Sequence, residues 1–435
     1  MRKFLDKSFF LIIPLLIAGI YWGVSTLPIC LLVLLLRILT SDRHTVGIFL
    51  VLYAGTLCGT IRYFIPSIPL YGFVMQLVGL VLLWDKVMEL FKKHVCTFKY
   101  LFAVFLVFGF SYVYADHTPY ANAKILSILI TGTMMVFGYY ALCNSNRVSA
   151  ERLTQLLLIS SIIFTVSVLM LLDIGIGGVF DYNWLRQASE LKVSQEQEQT
   201  FINYQTISIT SLFGITVYLS QKKISIFPTF FYSLVSIHLI LTGGARQAMI
   251  GIIIIIILRL TYFIDGKSPK RYVYYILAFL FAVVSIYAIQ LLEIQSLIRM
   301  TEVGGKDREL LLLDSYRIFK EHFLFGVGLG GFPLYTIVVG SPYPHNLFME
   351  LLCETGFIGT ILLFVVVFIY FKKNKITFRI ATNTDSYILL IISALFIRVM
   401  FSSDLTESIQ LFSCVFVLSS KGRVKLQLAN RHICH

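Results

Sequence analysis

Apolar runs of about 17–22 residues, each long enough to cross a hydrocarbon core of roughly 30 Å as a helix, recur along almost the whole chain. Inside a bilayer the backbone must satisfy its own hydrogen bonds, so these runs are expected as helices. Composition agrees: 57% of the 435 residues are hydrophobic and 14% charged, where a soluble domain carries about a quarter charged. The runs fall at 9–24, 26–40, 45–61, 68–84, 98–114, 122–142, 153–172, 203–220, 224–241, 247–264, 272–290, 346–371, 386–400 and 405–419. The first pair is closely coupled and the last pair short. The expectation is an all-α polytopic membrane protein with about 12–14 transmembrane helices.

The net charge of +13 does not point to nucleic acid, because the basic residues sit in short connections between spans. Alternate connections, from Arg2, Lys3 and Lys7 through Lys372, Lys373 and Lys375 to Lys421 and Arg423, hold more than twice as many lysines and arginines as the others. Positive loops stay in the cytoplasm, which predicts both termini there. The basic start followed by an apolar run looks like a signal peptide, but no small-residue cleavage site follows, so a retained first helix is expected.

Two long loops then fall on the outer side. The loop at 173–202 is acidic, with Asp173, Asp181, Glu190, Glu196 and Glu198. The larger, 291–345, contains an expected amphipathic helix over 307–325, with Leu312, Tyr316, Phe319 and Phe323 on one face and Asp307 as its cap. Such a helix lies along the membrane surface or roofs a cavity. Nothing repeats at a period of 20–50 residues and no soluble domain is appended, so 1–435 reads as one integral membrane domain.

None of the seven cysteines forms a CxxC or a Cys/His pair at metal spacing, which disfavours a zinc site and a disulfide scaffold. No Walker loop, dinucleotide fingerprint or HExxH is present, so no cofactor and no metal are expected.

The polar residues of interest gather at the outer face. Arg246 stands in the turn Thr242-Gly243-Gly244-Ala245-Arg246-Gln247 between two spans. It is either a snorkelling anchor or, against the charge bias, a residue facing an anion. Arg308 opens the loop helix beside Asp307 and Glu309, as a solvated charge or a phosphate contact. Arg317 stands one turn before Glu321, which suggests a surface pair. His345, in Ser341-Pro342-Tyr343-Pro344-His345-Asn346, sits at the mouth of a span. It is a structural hydrogen-bonding residue or a group placed for proton transfer or phosphate contact. Asn346 reads first as a helix cap. Glu350 and Glu354 lie one and two turns inside the span, either orienting His345 or packing as buried polar residues. Asp404 returns a carboxylate to the outer face, near Arg398 in sequence.

Three of these segments, in order, resemble the superfamily of O-antigen ligases and O-antigen polymerases. Leu241-Thr242-Gly243-Gly244-Ala245-Arg246-Gln247-Ala248 resembles its T-G-S-R turn, with Ala245 in place of serine. Arg308 followed by Phe325-Gly326-Val327-Gly328-Leu329-Gly330 resembles its R…P-x-G-x-G-x-G approach, without the proline. Tyr343-Pro344-His345-Asn346-Leu347-Phe348-Met349-Glu350 with Glu354, Gly356 and Gly359 resembles its P-H-N-x-x-L-E…E-x-G-x-x-G signature. The resemblance covers 203–420.

The resemblance implies a metal-independent, inverting glycosyltransferase of the bacterial inner membrane. Its donor would be an undecaprenyl-diphosphate-linked oligosaccharide, and a glycan hydroxyl would attack on the periplasmic side. Arg246 and Arg308 would bind the diphosphate, and His345 would activate the acceptor. Asn346, Glu350 and Asp404 would line the substrate site. A chain-length regulator is a further partner compatible with such an enzyme. Polymerisation of repeat units is the first reading and ligation to lipid A-core the second. Oligosaccharyl transfer to protein is a third. A transporter or flippase is disfavoured, because the ionisable residues collect at the outer surface and no halves repeat.

Overall fold

The computed structural model describes residues 9–16, 27–64, 71–93, 95–145, 147–172, 205–221, 224–243, 245–263, 306–338, 341–374, 386–401 and 404–417. Among these residues every regular element is a helix. The expected span at 272–290, the acidic loop at 173–202 and the first part of the large outer loop lie outside the described residues.

In chain order the helices are α1 (Leu27–Thr40), α2 (Arg43–Ile48), α3 (Gly55–Phe64), α4 (Tyr71–Leu82), α5 (Trp84–Lys93) and α6 (Val95–Val113). There follow α7 (Pro119–Cys143), α8 (Arg147–Leu172), α9 (Gln205–Leu219), α10 (Ile226–Gly243) and α11 (Arg246–Phe263). The last are α12 (Lys306–Glu321), α13 (Phe332–Tyr335), α14 (Leu347–Lys373), α15 (Ser386–Phe401) and α16 (Leu405–Val417). Among the described residues α7, α8 and α14 are long and apolar enough to cross a membrane, and nine further apolar segments are 10–17 residues long. The chain is an all-α polytopic membrane protein.

It forms two compact units. One comprises 1–83 with 144–302, the other 84–143 with 303–435.

In the first unit α8 is the central helix, buried on nearly all sides by its neighbours in that unit. Lipid tails are as apolar as leucine, so association between spans relies on close packing and polar contacts. Thr154 Oγ1 donates to Gly214 O (2.9 Å), Thr56 Oγ1 to Ser160 Oγ (3.0 Å), and Gln155 Nε2 to Tyr232 OH (2.8 Å). The span expected at 45–61 is broken into α2, a π-turn at Phe49–Tyr53, and α3. This happens where α4 crosses closely: a Cβ on Gly79 would stand 2.9 Å from Gly47 O and 2.7 Å from a Val51 methyl carbon.

In the second unit, α5 forms where only a basic connection was expected. Val87 and Leu90, three apart, are buried, while Lys86 pairs with Glu89 at 2.8 Å. The main feature of this unit is α14. Its apolar sequence continues from Leu347 to Lys373, but Gly356 takes φ +65° and ψ −173° and breaks the helix in two. A break inside a span leaves backbone groups unbonded, each costing several kcal/mol in lipid (about 2–7 by transfer scales). The glycine-rich segment supplies the missing partners. Val327 N donates to Cys353 O (2.8 Å) and Gly328 N to Glu354 O (3.1 Å). Phe357 N and Ile358 N donate to Phe323 O (2.9 Å) and Leu324 O (3.1 Å). Ser111 Oγ on α6 adds a second bond to Glu354 O (2.7 Å).

The helix expected in the large loop is present as α12, with Asp307 in the first turn of its described part. It has two apolar faces. Leu311 and Ile318, with Asp314 and Ser315, are buried in this unit, where Leu311 and Ile318 pack with Val327, Phe332 and Cys353. Leu312, Tyr316 and Phe323 are exposed, with Leu310 and Leu313 beside them, as a helix lying at a membrane surface requires.

Candidate active site

The signature histidine owes its place to local backbone geometry. His345 has φ +59°, and among the described residues it alone, glycines apart, has positive φ. Histidine visits this region more readily than most residues, but the conformation costs free energy and persists only where surroundings impose it. Those surroundings are the Pro342-Tyr343-Pro344 approach on one side and the first turn of α14 on the other. The His345 ring lies against Tyr343, with centroids 4.4 Å apart and planes at 59°.

Asn346 takes the N-cap of α14: its Oδ1 accepts from Met349 N at 3.1 Å. Its amide nitrogen reaches across to Met400 O at 3.3 Å. The residue expected to line the substrate site therefore has both ends of its amide engaged by the fold. Four residues on, Glu350 Oε1 accepts from Leu405 N at 3.1 Å. Asp404, between these two anchor points, caps α16, with Oδ1 accepting from Thr406 Oγ1 (2.5 Å) and Glu407 N (3.1 Å). Thus Asn346 and Glu350 are stitched to Met400 and Leu405, and His345, Asn346, Glu350 and Asp404 share one corner of the second unit. Near this turn Arg398 pairs with Glu407 at 2.5 Å.

Burial pushes the Tyr343 phenol above the usual tyrosine range, and Asp404, Glu407 and Glu350 add to the shift, outweighing Arg398. The corner beside His345 is therefore acidic in balance, with Tyr343 kept as a neutral hydroxyl.

Lys124, on α7, was not singled out from the sequence. Its Nζ stands 2.6 Å from Glu350 Oε1 and 2.7 Å from Glu354 Oε1, and all three side chains have no solvent exposure. Glu350 is thus bound into a buried cluster with Glu354, beneath His345. The second carboxylate oxygens, Glu350 Oε2 and Glu354 Oε2, and the Tyr120 hydroxyl are buried with no hydrogen-bond partner among the described residues. Tyr120 lies over the ammonium, 5.3 Å from Nζ to the ring centroid. A usable signal was present: Lys124 is an ionisable residue inside an otherwise apolar run, and such residues in spans are costly and usually functional.

The loop leading to His345 is fixed by Asp314. Its Oδ2 accepts from Thr336 Oγ1 (2.7 Å) and Ile337 N (2.9 Å), and its Oδ1 from Arg317 Nε (2.9 Å). Arg317 also meets Glu321, as its spacing suggested, and Tyr335 O. Burial works against the Asp314 carboxylate, but these hydrogen bonds and the Arg317 charge outweigh it and hold its pKa below the ordinary aspartate value.

For Arg246 and Arg308 the backbone alone is described. Arg246 opens α11 in the first unit, at a turn where Thr242, Ala245, Gln247 and Ala248 are buried and Ala245 N donates to Ser208 Oγ (3.3 Å). Arg308 falls in the first turn of α12 in the second unit.

Comparison with curated proteins gave no match. Residues 231–364 match the family model described as O-antigen ligase. The matched segment includes Arg246, Arg308, His345, Asn346 and Glu350, and leaves out Lys124 and Asp404. Over that segment the chain, an all-α polytopic membrane protein, is similar to the O-antigen ligase family.

Proposed function

We propose that this protein polymerises lipid-linked repeat units of O-antigen or a related surface polysaccharide, on the outer side of the bacterial inner membrane with both termini in the cytoplasm. The observation that carries the reading is His345: a signature histidine at positive φ, held against Tyr343 at the mouth of a broken membrane helix. A strained backbone at a polar corner fits a site organised for chemistry.

In the proposed reaction a hydroxyl of the acceptor sugar attacks the anomeric carbon of the donor glycan. The new C–O bond forms as the bond from that carbon to the diphosphate breaks, with inversion, and undecaprenyl diphosphate leaves with the electron pair. His345 takes the hydroxyl proton, a role suited to an imidazole near neutral pH. Arg246 and Arg308 are assigned to the diphosphate, where guanidinium groups match phosphate oxygens and stabilise charge developing on the leaving group. Asn346, Glu350 and Asp404 shape the acceptor side. A chain-length regulator would act on the glycan from outside this site.

The test is deletion of the gene followed by gel analysis of surface glycan. Core bearing a single repeat unit is the expected result. Core with no repeat unit identifies the ligase reading instead, and an unchanged ladder removes both.

A further inference from the structure

Gly356 cuts the hydrogen-bond ladder of α14, so the half-helix that begins at Leu347 and carries His345 at its mouth is not held in register by the rest of the span. An isolated helix of two or three turns is marginal in water. Backbone bonds to Cys353 O and Glu354 O hold its far end, and its rotation about its own axis is left to side-chain contacts.

We infer that Lys124 is the positioning residue that sets this rotation. Glu350 and Glu354 are four apart and share one face of the half-helix. A single ammonium bonded to both, at 2.6 and 2.7 Å, grips two successive turns at once. Rotation by one residue is about 100° and translation about 1.5 Å, and either breaks both contacts. Glu350 Oε1 also receives Leu405 N, so the grip extends to the turn that holds Asp404.

Stability alone is a poor reason for such a cluster. Buried ion pairs are seldom better than apolar residues of the same volume. This one is also incompletely satisfied, with Glu350 Oε2, Glu354 Oε2 and the Tyr120 hydroxyl lacking partners among the described residues. It opposes one ammonium to two carboxylates. Directional bonding, which an apolar contact does not offer, is what the arrangement adds. Lys124 lies outside the segment that matches the family model, so the matched domain takes its alignment from a residue of α7.

The inference rests on the transferase reading only in that the group positioned is the proposed base. The test uses the full-length protein in detergent and in a deletion strain, with three variants. Lys124→Met/Glu350→Gln/Glu354→Gln removes all charge and keeps the volume. Lys124→Arg keeps the double bond donor. Glu354→Gln leaves a neutral one-to-one pair, so it folds even if the triple variant does not. Amide hydrogen exchange is read over 345–355 and over 357–373, together with thermal midpoint and the glycan ladder. Expected for the triple variant is a midpoint close to wild type, exchange at least tenfold faster over 345–355 alone, and loss of the ladder. Lys124→Arg should keep wild-type exchange and the ladder, and Glu354→Gln should speed exchange over 350–355. Wild-type exchange in the folded triple variant, or in Glu354→Gln if the triple does not fold, overturns the inference. So does fast exchange with an intact ladder. If His345→Ala leaves the ladder intact, the transferase reading fails, and the exchange data alone decide whether Lys124 sets the half-helix.

Discussion

Gly326 and Gly356 meet backbone to backbone: a Cβ on Gly356 would stand 2.5 Å from Gly326 N, and one on Gly326 would stand 2.6 Å from Gly356 N. Both have positive φ. This contact joins the glycine-rich loop to the break in α14, and four backbone hydrogen bonds around it replace those the break removes. Loop and span are therefore one construction.

Gly356→Ala tests that. At φ +65° and ψ −173° only glycine is comfortable, and a side chain there costs about 1–3 kcal/mol before any clash. The added methyl also meets Leu324 O and Phe325 C at 2.5 Å, so the loop must move. The variant should show a lower thermal midpoint in detergent and no glycan ladder. A wild-type midpoint would mean that the break is not held as described.

His345 combines a backbone role and a side-chain role, and substitutions can part them. Glycine at 345 accepts φ +59° without penalty, and asparagine accepts it better than alanine does. If the imidazole takes a proton, His345→Gly and His345→Asn should both fold and both lose activity by about 10²–10⁴-fold. If either keeps near-normal polymerisation, the histidine is there for its conformation and the chemistry lies elsewhere.

Asn346 is engaged by the fold at both ends of its amide, at Met349 N and Met400 O. Asn346→Ser keeps a cap and drops the reach to Met400, whereas Asn346→Ala drops both. Loss of the cap should cost about 0.5–2 kcal/mol, measured as a shift in denaturation midpoint. A substrate contact, as expected from the sequence, would instead show as lost activity in Asn346→Ser at unchanged midpoint. The pair of variants decides which role dominates.

Asp314 links acid sensitivity to the outer loop. Its folded pKa lies below the ordinary aspartate value, so its contribution is present above the unfolded pKa of about 3.9 and is lost as pH falls through the folded value. Asp314→Asn should destabilise α12 and the 332–338 segment at pH 7 by about 1 kcal/mol, the net worth of such a bond after solvent screening. Below the folded pKa of Asp314 the variant and wild type should converge. Hydrogen exchange over 306–338 at the two pH values measures this, and a difference that grows toward low pH would contradict it.

Much of this was legible in the chain. Apolar run length was enough for the helical class, and the Pro344-His345-Asn346 segment does stand at the start of a span, with Asn346 as its cap. The break at Gly356 was not read: 346–371 was expected as one continuous span, and a glycine in an apolar run does not by itself say that a loop will replace its hydrogen bonds. What stayed hidden depends on partners distant in sequence. Lys124 meets Glu350 and Glu354 from 226 and 230 residues away, and nothing local to Lys124 names them. The exposed and buried apolar faces of α12 were equally indistinguishable, since the choice depends on whether protein or lipid covers each.

Arg246 and Arg308 give the last expectation, and it follows from what a guanidinium does that an ammonium does not. Lysine keeps the charge but is a point donor, whereas arginine presents a planar fork that matches two phosphate oxygens. If each arginine holds the donor diphosphate, Arg246→Lys and Arg308→Lys should retain fold and membrane insertion and lose at least tenfold in kcat/KM with a purified polyprenyl-diphosphate-linked repeat unit. A loss confined to KM would mean ground-state binding alone. Equal losses in kcat and kcat/KM would place the guanidinium on charge that appears only as the diphosphate departs. Arg317→Lys serves as the control, because that side chain is committed to Asp314, Glu321 and Tyr335 O. Should all three lysine variants behave alike, the diphosphate assignment of Arg246 and Arg308 has no support.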